Sequence, residues 1–163
     1  MSTALQLTGN DLILEDVRRI ALDETIQVML ADAARAPVAA SRQVIEAILT
    51  SDKVVYGVNT GFGAMSSVRI AADQLDQLQV NLVRSHCAGT GDLLDTATVR
   101  AMMLLRANTL AKGFSGVRPV VIETLLELLN KGVYPCVPSQ GSLGASGDLA
   151  PLAHMAAVLI GEG

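Results

Sequence analysis

The chain has 163 residues, 50% of them hydrophobic, with two tyrosines, two phenylalanines and no tryptophan. That length suits one domain burying roughly 70% of its unfolded surface, and its core must be aliphatic. The formal charge of −4, with basic residues scattered rather than clustered, excludes the basic footprint of nucleic-acid binding.

Leu5-Gln6-Leu7 reads as a short extended piece closed by the Thr8-Gly9-Asn10 turn. Leu14 to Ala21 reads as a short helix with Glu15 and Asp16 in its first turn. Ile26, Val28 and Leu30 alternate with Gln27 and Met29, which predicts a strand. Asp32 is placed to cap a helix over about Ala33 to Ser51, with Val38, Ile45, Ile48 and Leu49 inward and Pro37 tolerated only in the first turn. Val54 to Gly63 is glycine-rich and loop-like. Asp73 is the candidate cap of a helix reaching Cys87, whose stripe is Leu75, Leu78, Leu82 and His86. Gly89 and Gly91 stop it.

Asp95 opens the next helix, which runs to Lys112 and stops at Gly113. Pro119 begins another, carrying Val121, Leu125, Leu128 and Leu129 to Asn130-Lys131-Gly132. Tyr134 to Pro138 is a stiff extended connector, and an apolar helix follows from Asp148. There are no internal repeats or linkers, so the expected fold is all-α, a single packed unit with short extended segments. Cys87 and Cys136 lack metal-ligand spacing and read as two free, mostly buried thiols of a reducing cytoplasm. No secretory leader is evident at the N-terminus, and no apolar run is long enough to span a membrane.

The connector delivers Gly141-Ser142-Leu143-Gly144-Ala145-Ser146-Gly147-Asp148-Leu149-Ala150-Pro151-Leu152-Ala153-His154. Glycine-rich turns before a helix ordinarily cap it or cradle a phosphate. This one has neither Gly-Lys-Ser/Thr nor Gly-x-Gly-x-x-Gly. Its small residues permit a different chemistry, because the backbone can fold back on itself. The Gly147 amide nitrogen can attack the Ala145 carbonyl carbon and close a five-membered ring. Loss of one water from the ring and a second from the Ser146 side chain leaves an exocyclic methylene. Such a group is a carbon electrophile, which ordinary side chains do not provide.

This stretch resembles the signature of the aromatic amino acid ammonia-lyases, most closely their histidine-specific branch, within the fumarase/aspartase–histidase superfamily. Three further segments match in the same order: Tyr56-Gly57-Val58-Asn59-Thr60-Gly61-Phe62-Gly63, Ser85-His86-Cys87-Ala88-Gly89, and Lys112-Gly113-Phe114-Ser115-Gly116-Val117-Arg118-Pro119. The resemblance runs from about residue 5 to the last residue. It implies that Ala145-Ser146-Gly147 matures autocatalytically into methylideneimidazolone (MIO), with no metal or nucleotide. It further implies elimination of ammonia from L-histidine to give urocanate in a cytoplasmic homotetramer with shared active sites. Residues 1–163 would then be the N-terminal domain of a longer chain, with the carboxylate-binding arginine beyond Gly163.

The same resemblance assigns roles to individual residues. Tyr56, which would otherwise simply pack its ring, aligns with the base that removes the β-proton. A phenol ordinarily titrates near ~10, so that role calls for helix N-termini converging on it. His86, otherwise a core histidine, aligns with the pocket for the substrate side chain. Asp148 supports the prosthetic group, and a plain helix N-cap there is compatible with that role. His154 reads as structural, Ser85 and His86 do not form a catalytic pair, and Arg84 and Arg118 read as surface or interface charges. Two alternatives stay open: a tyrosine lyase or aminomutase with the same group, and a catalytically silent helical assembly module.

Overall fold

The computed structural model describes residues 4–143 and 149–163. Six helices dominate them: α1 (Leu14–Leu22), α2 (Asp32–Leu49), α3 (Leu75–His86), α4 (Thr96–Ala111), α5 (Pro119–Asn130) and α6 (Leu149–Leu159). Four short strands accompany the helices. Strands β1 (Leu5–Leu7) and β2 (Val28–Leu30) pair in parallel, Leu5 opposite Val28 and Leu7 opposite Leu30. Strands β3 (Thr90–Leu93) and β4 (Pro138–Gln140) pair antiparallel, Thr90 opposite Gln140 and Leu93 opposite Pro138. The expected all-α character holds, and the β3–β4 pair is an addition to it. None of the described helices is long and apolar enough to cross a membrane.

Helix α4 is the axis of the core. Asp95 caps it as expected, its carboxylate accepting the Thr98 backbone N–H at 2.8 Å. Val99, Met103, Leu104, Ala107, Leu110 and Ala111 are buried along it, packed on α1, α2 and α5. Gly113 ends it with φ +76°, the left-handed stop that glycine takes without a Cβ penalty. Helix α5 starts with Pro119 at its first position and buries Ile122, Leu125, Leu126 and Leu129. At its end the Asn130 side chain accepts the Val28 N–H at 2.9 Å and donates to the Val28 carbonyl at 2.8 Å, fixing β2 to the helix.

One core residue carries a charge. Arg100 is 1% exposed on the inward face of α4. Its guanidinium donates to the Ile20 carbonyl at 2.9 Å, the Asp23 carbonyl at 3.1 Å and the Tyr134 hydroxyl. A longer contact of 3.5 Å reaches the Leu129 carbonyl. Ile20 and Leu129 lie at the C-terminal ends of α1 and α5, where carbonyls lack intrahelical donors. A single cation thus satisfies two helix ends and the residue that begins the connector to β4.

Several local expectations need correction. Ala31, not Asp32, is the N-cap of α2, with no side-chain cap bond; Asp32 is the first helical residue. Pro37 lies inside α2, one turn later than its chemistry favours. It lies on the exposed side of the helix. The Gly113 backbone also packs against it, where a Cβ would come within 2.7 Å. Asp73 does not cap α3; it lies in a 3-10 turn, Ala72–Gln74, that leads into the helix. Cys136 is exposed rather than buried, because its neighbours Pro135 and Val137 take the inward positions.

Candidate functional site

The loop bearing Tyr56 is held from beneath by two buried polar residues. Asn59, 3% exposed, accepts the Val55 N–H at 2.8 Å and donates to the Lys53 carbonyl at 2.7 Å. Thr60, 1% exposed, accepts the Gly57 N–H at 3.3 Å and donates to the Gly61 carbonyl at 2.8 Å. A bridge from Thr60 to Arg69 closes the base of the loop. Gly57 has φ +76°. The result is a loop pinned by its own polar side chains that presents Tyr56 outward, 62% exposed, edge-on to Phe62 at 5.9 Å.

The Lys112–Pro119 motif is fixed against α2. The Gly116 N–H donates to Ser41 Oγ at 2.9 Å, and its φ is +66°. A Cβ at Gly116 would lie 2.3 Å from Ile45 Cγ1, so only glycine fits. This seats Val117 in the wall of the site and Arg118 at the N-cap of α5.

His86 ends α3. Its Nδ1 is 2.8 Å from the Leu82 carbonyl, which can only accept, so Nδ1 carries the proton. The Ser85 hydroxyl donates to the same carbonyl at 2.9 Å and lies 3.0 Å from Nδ1. In the neutral ring this leaves Nε2 as an acceptor.

These elements line an open cavity of about 530 Å³. Tyr56 and Phe62 from the pinned loop, Leu82 and His86 from α3, and Leu149 and Leu152 from α6 all line it. Leu149 directly follows Asp148 in the chain. A second cavity of about 400 Å³ shares Arg106 and Leu152 with the first and is lined by Ser142 on the other flank of residues 144–148. Ala145, Ser146, Gly147 and Asp148 themselves lie outside the described residues. The structure therefore brings Tyr56 and His86 into one cavity with Leu149, while Ser142 lines the adjoining one. Among the described residues no cluster of three or more His, Cys, Asp or Glu could hold a metal ion.

His154 stands apart from both cavities; its Nε2 accepts the Gly89 N–H at 3.1 Å. Arg84 forms a forked ion pair with Glu162 at the surface, which holds the Arg84 guanidinium above and the Glu162 carboxyl below their usual ranges. Burial pushes the Cys87 thiol up, favouring the neutral form. One wall residue escaped the sequence reading. Arg106 is half-buried and lines both cavities, with no ion pair or hydrogen bond to another described side chain. The available signal was a lone cation inside an apolar helical run, Met102 to Leu110.

A profile of the family described as aromatic amino acid lyase matches residues 12–163. The histidine ammonia-lyase of Koribacter versatilis (strain Ellin345) is 56% identical over 160 residues, covering 98% of this chain and 31% of the relative. Among solved structures, a tyrosine aminomutase from Streptomyces globisporus aligns with a TM-score of 0.89 and 42% identity, covering 99% of this chain and 30% of that one. Histidine ammonia-lyase from Trypanosoma cruzi aligns with a TM-score of 0.89 and 37% identity, covering 99% and 31%. The chain thus spans about a third of the length of the relatives it matches. With its ordered motifs gathered around one cavity and its profile matched over nearly its whole length, the chain belongs to the aromatic amino acid lyase family.

Proposed function

We propose that these residues form the N-terminal domain of a histidine ammonia-lyase, which eliminates ammonia from L-histidine to give trans-urocanate. The observation that carries this reading is the cavity of about 530 Å³ where Tyr56 and His86 meet Leu149, the first described residue after the Ala145-Ser146-Gly147 segment in the chain. The residues present suit a prosthetic group built from that segment, since Ser142 and Leu149 on its two flanks line adjoining cavities. The mature MIO would supply the carbon electrophile that draws electron density from the substrate.

The remaining chemistry belongs to this chain's own side chains. The Tyr56 side chain is exposed to the cavity, makes no hydrogen bond to another described residue, and as the phenolate would take the β-proton of a bound amino acid. His86 offers Nε2 to the imidazole N–H of the substrate, because the Leu82 carbonyl holds the proton on Nδ1. Arg106 favours an anionic ligand at the wall between the two cavities. Asp148 is assigned to support of the prosthetic group. Leucines and Met155 from α6 and α5 supply an apolar surround that raises the worth of each polar contact. The complete enzyme is proposed to be a cytoplasmic homotetramer. Exposed Phe114 and Leu143, 87% and 82%, fit burial against further polypeptide.

The test uses the complete polypeptide, incubated separately with L-histidine, L-tyrosine and L-phenylalanine while the unsaturated acid is followed by ultraviolet absorbance. Urocanate from histidine alone supports the proposal. Coumarate from tyrosine keeps the chemistry and overturns the substrate. No product from any of them, with intact mass showing no loss of two waters, points to a silent assembly module.

A further inference from the structure

Nothing in the proposed elimination uses the second cavity, of about 400 Å³. Helix α4 gives it Met102, Arg106 and Thr109, β4 gives Pro138 and Ser139, and α6 gives Leu152. Arg106 and Leu152 also line the first cavity, so these two side chains form the wall between them. Arg106 is the one charged side chain among the described residues lining the second cavity, and its guanidinium has no ion pair or hydrogen bond to another described residue. A half-buried guanidinium with unspent donors on a mostly apolar surface is suited to an anion. Thr109 spends its hydroxyl proton on the Leu105 carbonyl at 2.9 Å. The Ser139 hydroxyl, exposed at the rim, remains as a neutral donor.

We propose that this cavity binds a small unsaturated monocarboxylate, with the carboxylate on Arg106 and the apolar body against Met102 and Leu152. The volume is that of a small-ligand pocket, and such pockets are mostly apolar with a few polar groups that fix orientation. One guanidinium matches one carboxylate as a bidentate pair, whereas a phosphate dianion would keep a charge unpaired. No acidic side chain lies among the described residues lining the cavity. The ammonium of an amino acid would therefore have no partner there, and burying it unpaired is costly. The cavity selects the deaminated acid over the amino acid. Because Arg106 borders both cavities, it is placed to take the carboxylate of a product leaving Tyr56 and His86. Naming the acid as the product rests on the proposed function; the anion site does not.

The test measures trans-urocanate bound by the complete polypeptide in equilibrium dialysis, with its uncharged amide as control. Wild type should bind a second equivalent per chain beyond the active site, and the amide should not occupy it. Ser139→Trp and Met102→Trp each put a ring into the second cavity from a position that does not line the first. Each should weaken the second equivalent roughly tenfold or more, as should Arg106→Met, which removes the charged donors. Added trans-urocanate should lower kcat as well as raise KM in wild type, and only raise KM in Ser139→Trp. A single equivalent in wild type means that further polypeptide covers the cavity and overturns the site. A second equivalent kept at full affinity in folded Ser139→Trp overturns it too, and Met102→Trp decides by the same measure if Ser139→Trp does not fold. The amide binding as tightly as the acid overturns the role of Arg106. A complete polypeptide that makes no urocanate from histidine, yet binds the acid at a site lost in Ser139→Trp, overturns the proposed function and leaves this site standing.

Discussion

Replacing Arg100 with Met keeps most of the buried volume and removes every donor of the guanidinium. The side chain is 1% exposed, so water cannot take its place. Two carbonyls held at 2.9 and 3.1 Å, those of Ile20 and Asp23, lose a charged donor, as does the Tyr134 hydroxyl. Orphaning a buried acceptor costs about 1–3 kcal/mol, which gives roughly 2–6 kcal/mol for the two carbonyls. Relief from desolvating the guanidinium offsets part of this, leaving about 3 kcal/mol. At ~2.1 cal/mol/K of unfolding entropy per residue, the Tm of a polypeptide about three times this length, as its relatives are, falls by roughly 3 °C if it unfolds as one unit. Calorimetry on the complete polypeptide at matched concentration reads it. Arg100→Lys should fall nearly as far, because one ammonium cannot span acceptors on α1 and beside the connector. Wild-type Tm in Arg100→Met would refute the view that this cation joins the two helix ends to the strand connector.

Tyr56→Phe keeps the edge-on ring contact with Phe62 and loses a hydroxyl that bonds to no other described residue. Stability should therefore not change, while turnover by the complete enzyme drops ~10²–10⁴-fold; unchanged kcat would remove Tyr56 from the base role. His86→Leu should raise KM for L-histidine by roughly tenfold or more, since a buried ring donor of the substrate is left unpaired. His86→Gln should recover part of that loss, and equal KM in both variants would place His86 outside the pocket. The Asp95 carboxyl is held below its usual range, first by the Thr98 backbone N–H and then by the Thr98 hydroxyl. Its folded value lies below its unfolded value, so its capping contribution is complete above about pH 4 and is lost as pH falls through the folded value. Acid titration of wild type against Asp95→Asn by circular dichroism checks this, with convergence of the two expected only at the acid end.

The parts of this fold that were legible in the sequence are those set locally. Asp95, Gly113 and Pro119 place helix boundaries because capping, a left-handed stop and a fixed φ need only near neighbours. What escaped was set by distant segments. Thr90-Gly91-Asp92-Leu93 has no alternation and is exposed throughout, and it becomes a strand only because β4 lies beside it. Pro37 contradicts helix propensity and is accommodated by Gly113, which is remote in sequence. Arg100 did leave a signal, for it shares one helix face with Met103, Leu104, Ala107 and Ala111, and a cation on that face has to be buried. Of the candidate site, Tyr56 and His86 followed from the family resemblance. Their meeting in one cavity, and the presence of Arg106 in its wall, depend on how α3, α4 and α6 pack.

That packing also explains why the site's glycines are not interchangeable loop residues. At Gly57 and Gly113 the backbone itself is left-handed. At Gly61 the limit is space, since a Cβ would come within 2.7 Å of Met65 Cβ. Gly116 combines both constraints, with φ +66° and a Cβ that would overlap Ile45. Each glycine lies in a motif that reaches the cavity, and Gly61, Gly113 and Gly116 let one segment approach another closely, with Tyr56 and Phe62 lining the cavity from the first loop and Val117 from the second. The cavity is thus held by backbone approach and by the buried Asn59 and Thr60 amide and hydroxyl rather than by aromatic packing, which this chain has almost none of. An aliphatic core supplies cohesion without direction, and the directional contacts are concentrated where the wall must be placed accurately.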